Sequence, residues 1–173
     1  MMLKKNSVLL SIILFCFALS ALAVCAKSDA QESNKDEVYY NKNGMNYFNK
    51  GYYKLIPKNK QGEALQNYEL AIKEFKKAIA INKNYVQAHR NLARVYYVQK
   101  KYLKAAEQYK KVTGLDPSDI DTYIMIALAY TKIQRHAEAI EQLKIAKTFT
   151  TDETVIQKLD GYVEKLEQEE RLR

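Results

Sequence analysis

The run Val86–Asp119 constrains the fold of this chain more than any other stretch, because its apolar positions recur in the residues that follow it. Leu92, Ala93, Val95 and Tyr96 fall at helical spacing, and after the break at Lys100–Lys101 so do Tyr102, Ala105, Ala106, Tyr109 and Val112. The unit is therefore two helices joined by a short turn and closed by Asp116–Pro117. Ile126, Ala127, Tyr130, Ala139, Leu143 and Ala146 repeat Leu92, Ala93, Tyr96, Ala105, Tyr109 and Val112 in register and without a gap, at a period of about 34 residues. Upstream, Ala71, Phe75 and Ala78 match a second helix, and Gly44 with Tyr47 match a first helix. The spacing between those two is about 15 residues too long for the repeat, which places an insertion around Leu55–Gly62.

Leu92, Ala93, Tyr96, Ala105, Tyr109 and Pro117 sit where a tetratricopeptide repeat carries Leu, Gly or Ala, Tyr, Ala, an aromatic residue and Pro, and the stretch resembles that family. His89 replaces the usual Trp, Tyr123 takes that place in the next unit, and Thr151 stands where Pro would end it. The resemblance implies an all-α fold: an α-solenoid of about three helix pairs, the first irregular, plus a C-terminal capping helix. The units are expected at about 38–85, 86–119 and 120–153, within a domain of 38–173. The capping helix, 154–170, shows Val155, Leu159, Tyr162, Val163 and Leu166 on one face and charged residues on the other. Capping boxes are expected from Asn84 with Gln87, Ser118 with Asp121, and Thr150 with Glu153. Val38–Lys54 reads as the first helix, ended by Pro57, with an exposed loop at Ile56–Gly62.

Composition agrees with a helical protein. With 5 Gly, 2 Pro and no Trp there is little turn chemistry for an all-β fold, and the 14 Tyr recur mostly at helical spacing, as core-filling rings do. The net charge of +8 would suit a nucleic acid, but the lysines are spread over several helices with Glu63, Glu69, Glu74 and Glu107 among them. That distribution argues for a solvated surface and against nucleic acid.

The N-terminal 1–25 has the layout of an export signal: Lys4 and Lys5, the apolar run Val8–Leu19, then Ser20, Ala21 and Ala23. Val8–Val24 barely reaches the ~17–25 residues of a membrane span, so an uncleaved anchor is a further reading. Leu22–Ala23–Val24–Cys25 resembles a bacterial lipobox, in which Cys25 becomes an acylated first residue and holds the protein to a membrane of the cell envelope, although Val24 departs from the usual small residue. The competing site, Ala21–Leu22–Ala23, would release a soluble periplasmic or secreted protein with Cys25 as a lone thiol. Residues 26–37 are polar and read as a flexible tether of about 40 Å at full stretch, at ~3.3–3.6 Å per residue.

Chemistry is sparse. His89 and His136 lie in separate units away from any H-E-x-x-H pattern. His89 is expected in the core and His136 exposed at a helix start. The glycines form no phosphate-cradling loop, and no set of nucleophile, base and oxyanion donor can be assembled. No enzymatic role, metal or cofactor is expected.

What the resemblance implies instead is a protein or peptide partner held on the inner surface lined by the first helix of each unit. The corresponding positions are Asn41, Met45 and Phe48; Gln87, Arg90, Arg94 and Tyr97; and Asp121, Ile124, Leu128 and Thr131. Arg90 and Arg94, four apart, are placed to meet an acidic group. Repeats that grip the C-terminal carboxylate of heat-shock chaperones use Lys, Asn, Asn, Lys and Arg or Lys where this chain has Asn41, Met45, Asn91, Asp121 and Met125. Only Asn91 agrees, so that clamp is not expected. The function implied is an envelope-attached interaction scaffold; a soluble binder of peptide or glycan, and an accessory subunit of an envelope enzyme, are the alternatives.

Overall fold

The computed structural model describes residues 35–172, so the export signal, Cys25 and most of the tether lie outside the described residues. Seven α-helices follow one another among these residues: α1 (Glu37–Asn49), α2 (Gln61–Ile81), α3 (Val86–Val98), α4 (Tyr102–Leu115), α5 (Ile120–Lys132), α6 (His136–Thr148) and α7 (Glu153–Arg171). Each packs on the next, and α1 also touches α3. The pairs α1/α2, α3/α4 and α5/α6 stack as an α-solenoid, with α7 lying on α6.

The repeated apolar positions build the core. Leu92, Ala93, Tyr96, Ala105, Tyr109 and Val112 are buried, and so are Ile126, Ala127, Tyr130, Ala139, Leu143 and Ala146 one unit later. Removing a large apolar side chain such as Phe75 or Ile126 from water contributes roughly 1.5–3 kcal/mol. The alanines contribute differently, since a small side chain without exposure lets a neighbouring helix come close to the backbone. Leu159 and Leu166 of α7 cover the last pair.

The turn inside each pair repeats as faithfully as the core. Lys60 N–H donates to Leu55 C=O, Lys101 N–H to Tyr96 C=O, and Arg135 N–H to Tyr130 C=O. Each bond spans a residue in the left-handed region: Asn59 at φ 56°, Lys100 at 59° and Gln134 at 64°. These are Schellman turns in which a non-glycine residue accepts the αL conformation so that orphan carbonyls are capped.

The insertion differs in part from expectation. The stretch from Ile56 is exposed as expected, though α2 already starts at Gln61. The first helix, however, does not run regularly to Lys54: α1 passes into a π-helix, Lys50–Leu55, and then a 3₁₀ turn, Ile56–Lys58. Pro57 fits the start of that short turn, where its missing N–H costs nothing. Burial explains the continuation: Leu55 reaches the core, and Gly51 lies so close to α2 that an added Cβ would stand 2.8 Å from the Tyr68 ring. The wider π turn brings both inward and leaves Tyr52 and Tyr53 exposed.

Helix starts also shift. Asn84 does not cap α3; its N–H donates to Asn82 Oδ1, and Tyr85 occupies the cap position with no side-chain bond. Asp119, not Ser118, caps α5 through Thr122 N–H, while Ser118 Oγ donates to Asp116. Asp152, not Thr150, caps α7 through the N–H groups of Thr154 and Val155. Asn82, Asp116 and Thr150 serve the preceding turns, which moves each helix start one or two residues on.

Gly44 and Gly161 make opposite predictions. A Cβ on Gly44 would lie 2.5 Å from the fully buried Phe75 ring, so Gly44→Val is expected to destabilise the fold by about 1–3 kcal/mol. Gly161 meets nothing within 4 Å, and Gly161→Ala is expected to stabilise α7 by about 0.5–1 kcal/mol. Urea unfolding of both variants against wild type measures the two signs.

Candidate functional site

On the inner surface, the polar residues mostly fasten helices to one another. Asn91 Nδ2 donates to Asn41 Oδ1 at 2.9 Å, linking α3 to α1. Arg90 Nη2 lies 2.7 Å from Asp119 Oδ2, linking α3 to the cap of α5. The carboxylate expected of a partner at Arg90 is thus supplied by the chain itself. Thr131 Oγ1 donates to Ala127 C=O within α5. Gln87 and Asp121 face solvent.

Phe48 is buried, packed against Tyr52 with rings stacked at 5.6 Å and against Tyr68 at 5.9 Å. Arg94 behaves unlike Arg90: its guanidinium lies 5.4 Å from the Phe48 ring centre, and it forms no ion pair among the described residues. Tyr97, half-buried, meets Tyr102 edge-on at 5.2 Å. Phe48, Arg94 and Tyr97 line one hollow with Tyr52 and Tyr53, while Met45 is half-buried on the same helix as Phe48.

Ile124, Leu128 and Thr131 come together at the other end, where they line a cavity of about 160 Å³ with Tyr162, Lys165 and Leu166 of α7. Asp121 and Ile124 border an adjoining, wider hollow with Lys158 and Tyr162. Leu128 and Tyr162 stay 40% and 52% exposed, large side chains left partly open among the described residues. The helix read as a cap is therefore also a wall. Tyr162 was the available signal, since one face of α7 carries a ring beyond what Leu159 and Leu166 need to close the core.

The two histidines are set differently. His89 is buried as expected, with Nε2 3.0 Å from Lys83 C=O and Nδ1 2.9 Å from the Gln108 amide. A carbonyl only accepts, so the Nε2–H donates to Lys83 C=O, while Nδ1 faces Gln108 Oε1. His136, expected to be exposed, is buried. Helix α7 crosses the start of α6 and brings Glu169 to 3.8 Å from Nε2, covering the ring. Among the described residues no group of His, Cys, Asp or Glu is arranged to hold a metal ion, and no helix is long and apolar enough to cross a membrane.

Comparison with known families follows this geometry. A TPR repeat model matches residues 63–100, and tetratricopeptide repeat models match 86–119 and 120–146. Residues 63–146 are tetratricopeptide repeats. Its first match begins inside α2, beyond the π-helical insertion that breaks the repeat spacing. Among solved structures, the TPR2B domain of yeast Sti1 in a complex with an Hsp70 segment is similar at 19% identity and TM-score 0.59, covering 77% of this chain and 97% of that one. The type III secretion translocator chaperone SycD of Yersinia enterocolitica is similar at 14% identity and TM-score 0.60, over 82% and 92%. The first TPR domain of Spaghetti (RPAP3), bound to the HSP90 peptide SRMEEVD, is similar at 18% and 0.52, over 74% and 93%. At these identities the likeness is one of fold. No curated protein matches the sequence.

Asp119 joins two repeats, since it caps α5 and pairs with Arg90 of α3. Asp119→Ala is expected to cost about 0.5–2 kcal/mol through the lost cap. Asp119→Asn, which keeps a capping oxygen and loses only a half-exposed ion pair, should cost less than about 1 kcal/mol. Thermal unfolding of the two variants beside wild type reads the difference.

Proposed function

We propose that this protein is a non-catalytic protein–protein interaction scaffold that receives a partner segment in the groove formed by α1, α3, α5 and α7. The observation that carries the reading is the apolar hollow of Ile124, Leu128, Tyr162 and Leu166, left open at the end of a fully packed solenoid. A soluble fold gains by covering such surface, and a partner's apolar side chains can do so. Solved neighbours of this fold hold peptides of Hsp70 and HSP90. The residues that grip those carboxylate tails are replaced here by Asn41, Met45, Asp121 and Met125, which favours an apolar or amphipathic segment. Met45, Arg94, Tyr97, Asp121, Ile124, Leu128 and Thr131 make the contacts in this reading, with Gln87 at the rim. Asn41, Phe48 and Arg90 support the wall.

The scaffold acts at the cell envelope. Its signal segment directs export and its lipobox-like Leu22–Cys25 directs acylation, so that the 26–37 tether carries the repeats away from a membrane surface. Metabolic labelling with a fatty-acid probe is expected to mark wild type and not Cys25→Ser; equal absence of label from both returns the reading to a soluble exported binder. For the groove, cross-linked partners of the full chain are expected to be lost in Leu128→Glu with helical content unchanged, and retained in Leu103→Glu, an exposed leucine on α4. Partners that survive Leu128→Glu place binding elsewhere.

A further inference from the structure

We infer that the aromatic hollow at the α1 end of the groove is a receptor site for a carboxylate carried beside a ring or a large aliphatic side chain. The inference rests on the groove reading above and gives the partner a chemistry: an acidic residue adjacent to an aromatic or bulky apolar one.

Five elements build the hollow, the last of them α5 through Met125. Phe48 comes from α1 and Tyr52 and Tyr53 from the π-helix, Arg94 and Tyr97 from α3, and Tyr109 from α4. Its volume is about 170 Å³, and an apolar cavity of ~150 Å³ is enough to take a benzene ring. Tyr52 and Tyr53 remain 43% and 61% exposed although they stand edge-to-face at 4.9 Å and one face of Tyr52 stacks on Phe48, so ring surface is still available to a guest.

Two polar groups of the hollow, Arg94 and Tyr109, are donors for which no acceptor is found among the described residues. Arg94 brings a full positive charge and has no acid to meet among the described residues. Tyr109 is 1% exposed, and its hydroxyl has no hydrogen-bond partner among the described residues, an unfavourable arrangement for a buried polar group. Burial pushes the Tyr109 pKa up to about 12, so the hydroxyl keeps its proton at neutral pH and has one to give. Arg90 Nε, on the same side of α3 one turn away, is also buried without an acceptor. Rings alone would welcome a cation, but Arg94 opposes one. A ligand that satisfies this set must bring oxygen atoms and a negative charge, and the rings select a flat or bulky neighbour for it.

The π-helix is the second, independent sign. Its widening turns Gly51 onto Tyr68 and sets Tyr52 and Tyr53 at the hollow, a rare backbone form that recurs at functional positions.

The test uses the full chain in detergent, titrated with N-acetyl-L-phenylalanine and with its neutral amide, N-acetyl-L-phenylalaninamide, and followed by NMR of the tyrosine rings. The acid is expected to shift Tyr52, Tyr53 and Tyr97 and to bind at least tenfold more tightly than the amide. Arg94→Gln should remove that preference. Tyr109→Phe should weaken the acid three- to tenfold while leaving Tm unchanged or higher, because it deletes an unsatisfied hydroxyl; a purely structural Tyr109 would not separate the two readouts. Equal binding of acid and amide, or an acid response unaffected by Arg94→Gln, overturns the assignment. Cross-linked partners lost in Leu128→Glu yet kept in Arg94→Gln overturn it while the groove stands; partners kept in both remove the groove as well.

Discussion

The solenoid depends on how closely its paired helices approach, and that approach is set by small residues. Gly44 sits against the Phe75 ring with no room for a methyl group, and Ala71, Ala93, Ala105, Ala127 and Ala139 are buried with almost no surface left. Where a small residue faces a neighbour, large residues around it can interdigitate: Phe75, Tyr109, Ile126 and Val112 are all closed to solvent. Because the same small and large positions recur, each unit presents the next with the same surface, and stacking continues until α7 ends it with a charged outer face.

This spacing is why the architecture was legible in the sequence. Ala105 and Ala139 or Tyr96 and Tyr130 can be overlaid by counting alone, and the packed helices follow from the count. The insertion was legible as extra length but not as shape. Whether Lys50–Leu55 continues as a regular or a widened helix turns on Leu55 and Gly51 finding places against α2, a long-range fact with no local signature. The same holds for the caps. Asn84 and Asp119 are both good capping residues by type, and only the preceding turn, through Asn82 or Asp116, decides which one is free to cap.

The groove was partly legible. Helical phase places Ile124, Leu128 and Thr131 on one face, and the structure brings them together. Phase cannot reveal that Arg90 meets Asp119 from the next unit while Arg94 meets only a ring, since the two arginines look alike one turn apart. Nor does it reveal that α7 leans far enough over α6 to bury His136 and to set Tyr162 opposite Leu128. These depend on the angle between elements. Asn41, Asn91 and Arg90 are spent on holding the wall, which leaves Arg94 with the rings and aliphatic groups to give the proposed groove its character.

Among the described residues, helix α7 rests chiefly on α6 at the far end of the repeats. Ends of repeat arrays melt before their middles. In the groove proposed above, a guest lodged between Leu128 and Tyr162 would lean on α7, so the grip on the guest and the coiling of that helix would rise and fall together. The Lys147–Asp160 ion pair, which ties α6 to α7, would then bear on how long a complex lives without touching the bound chain.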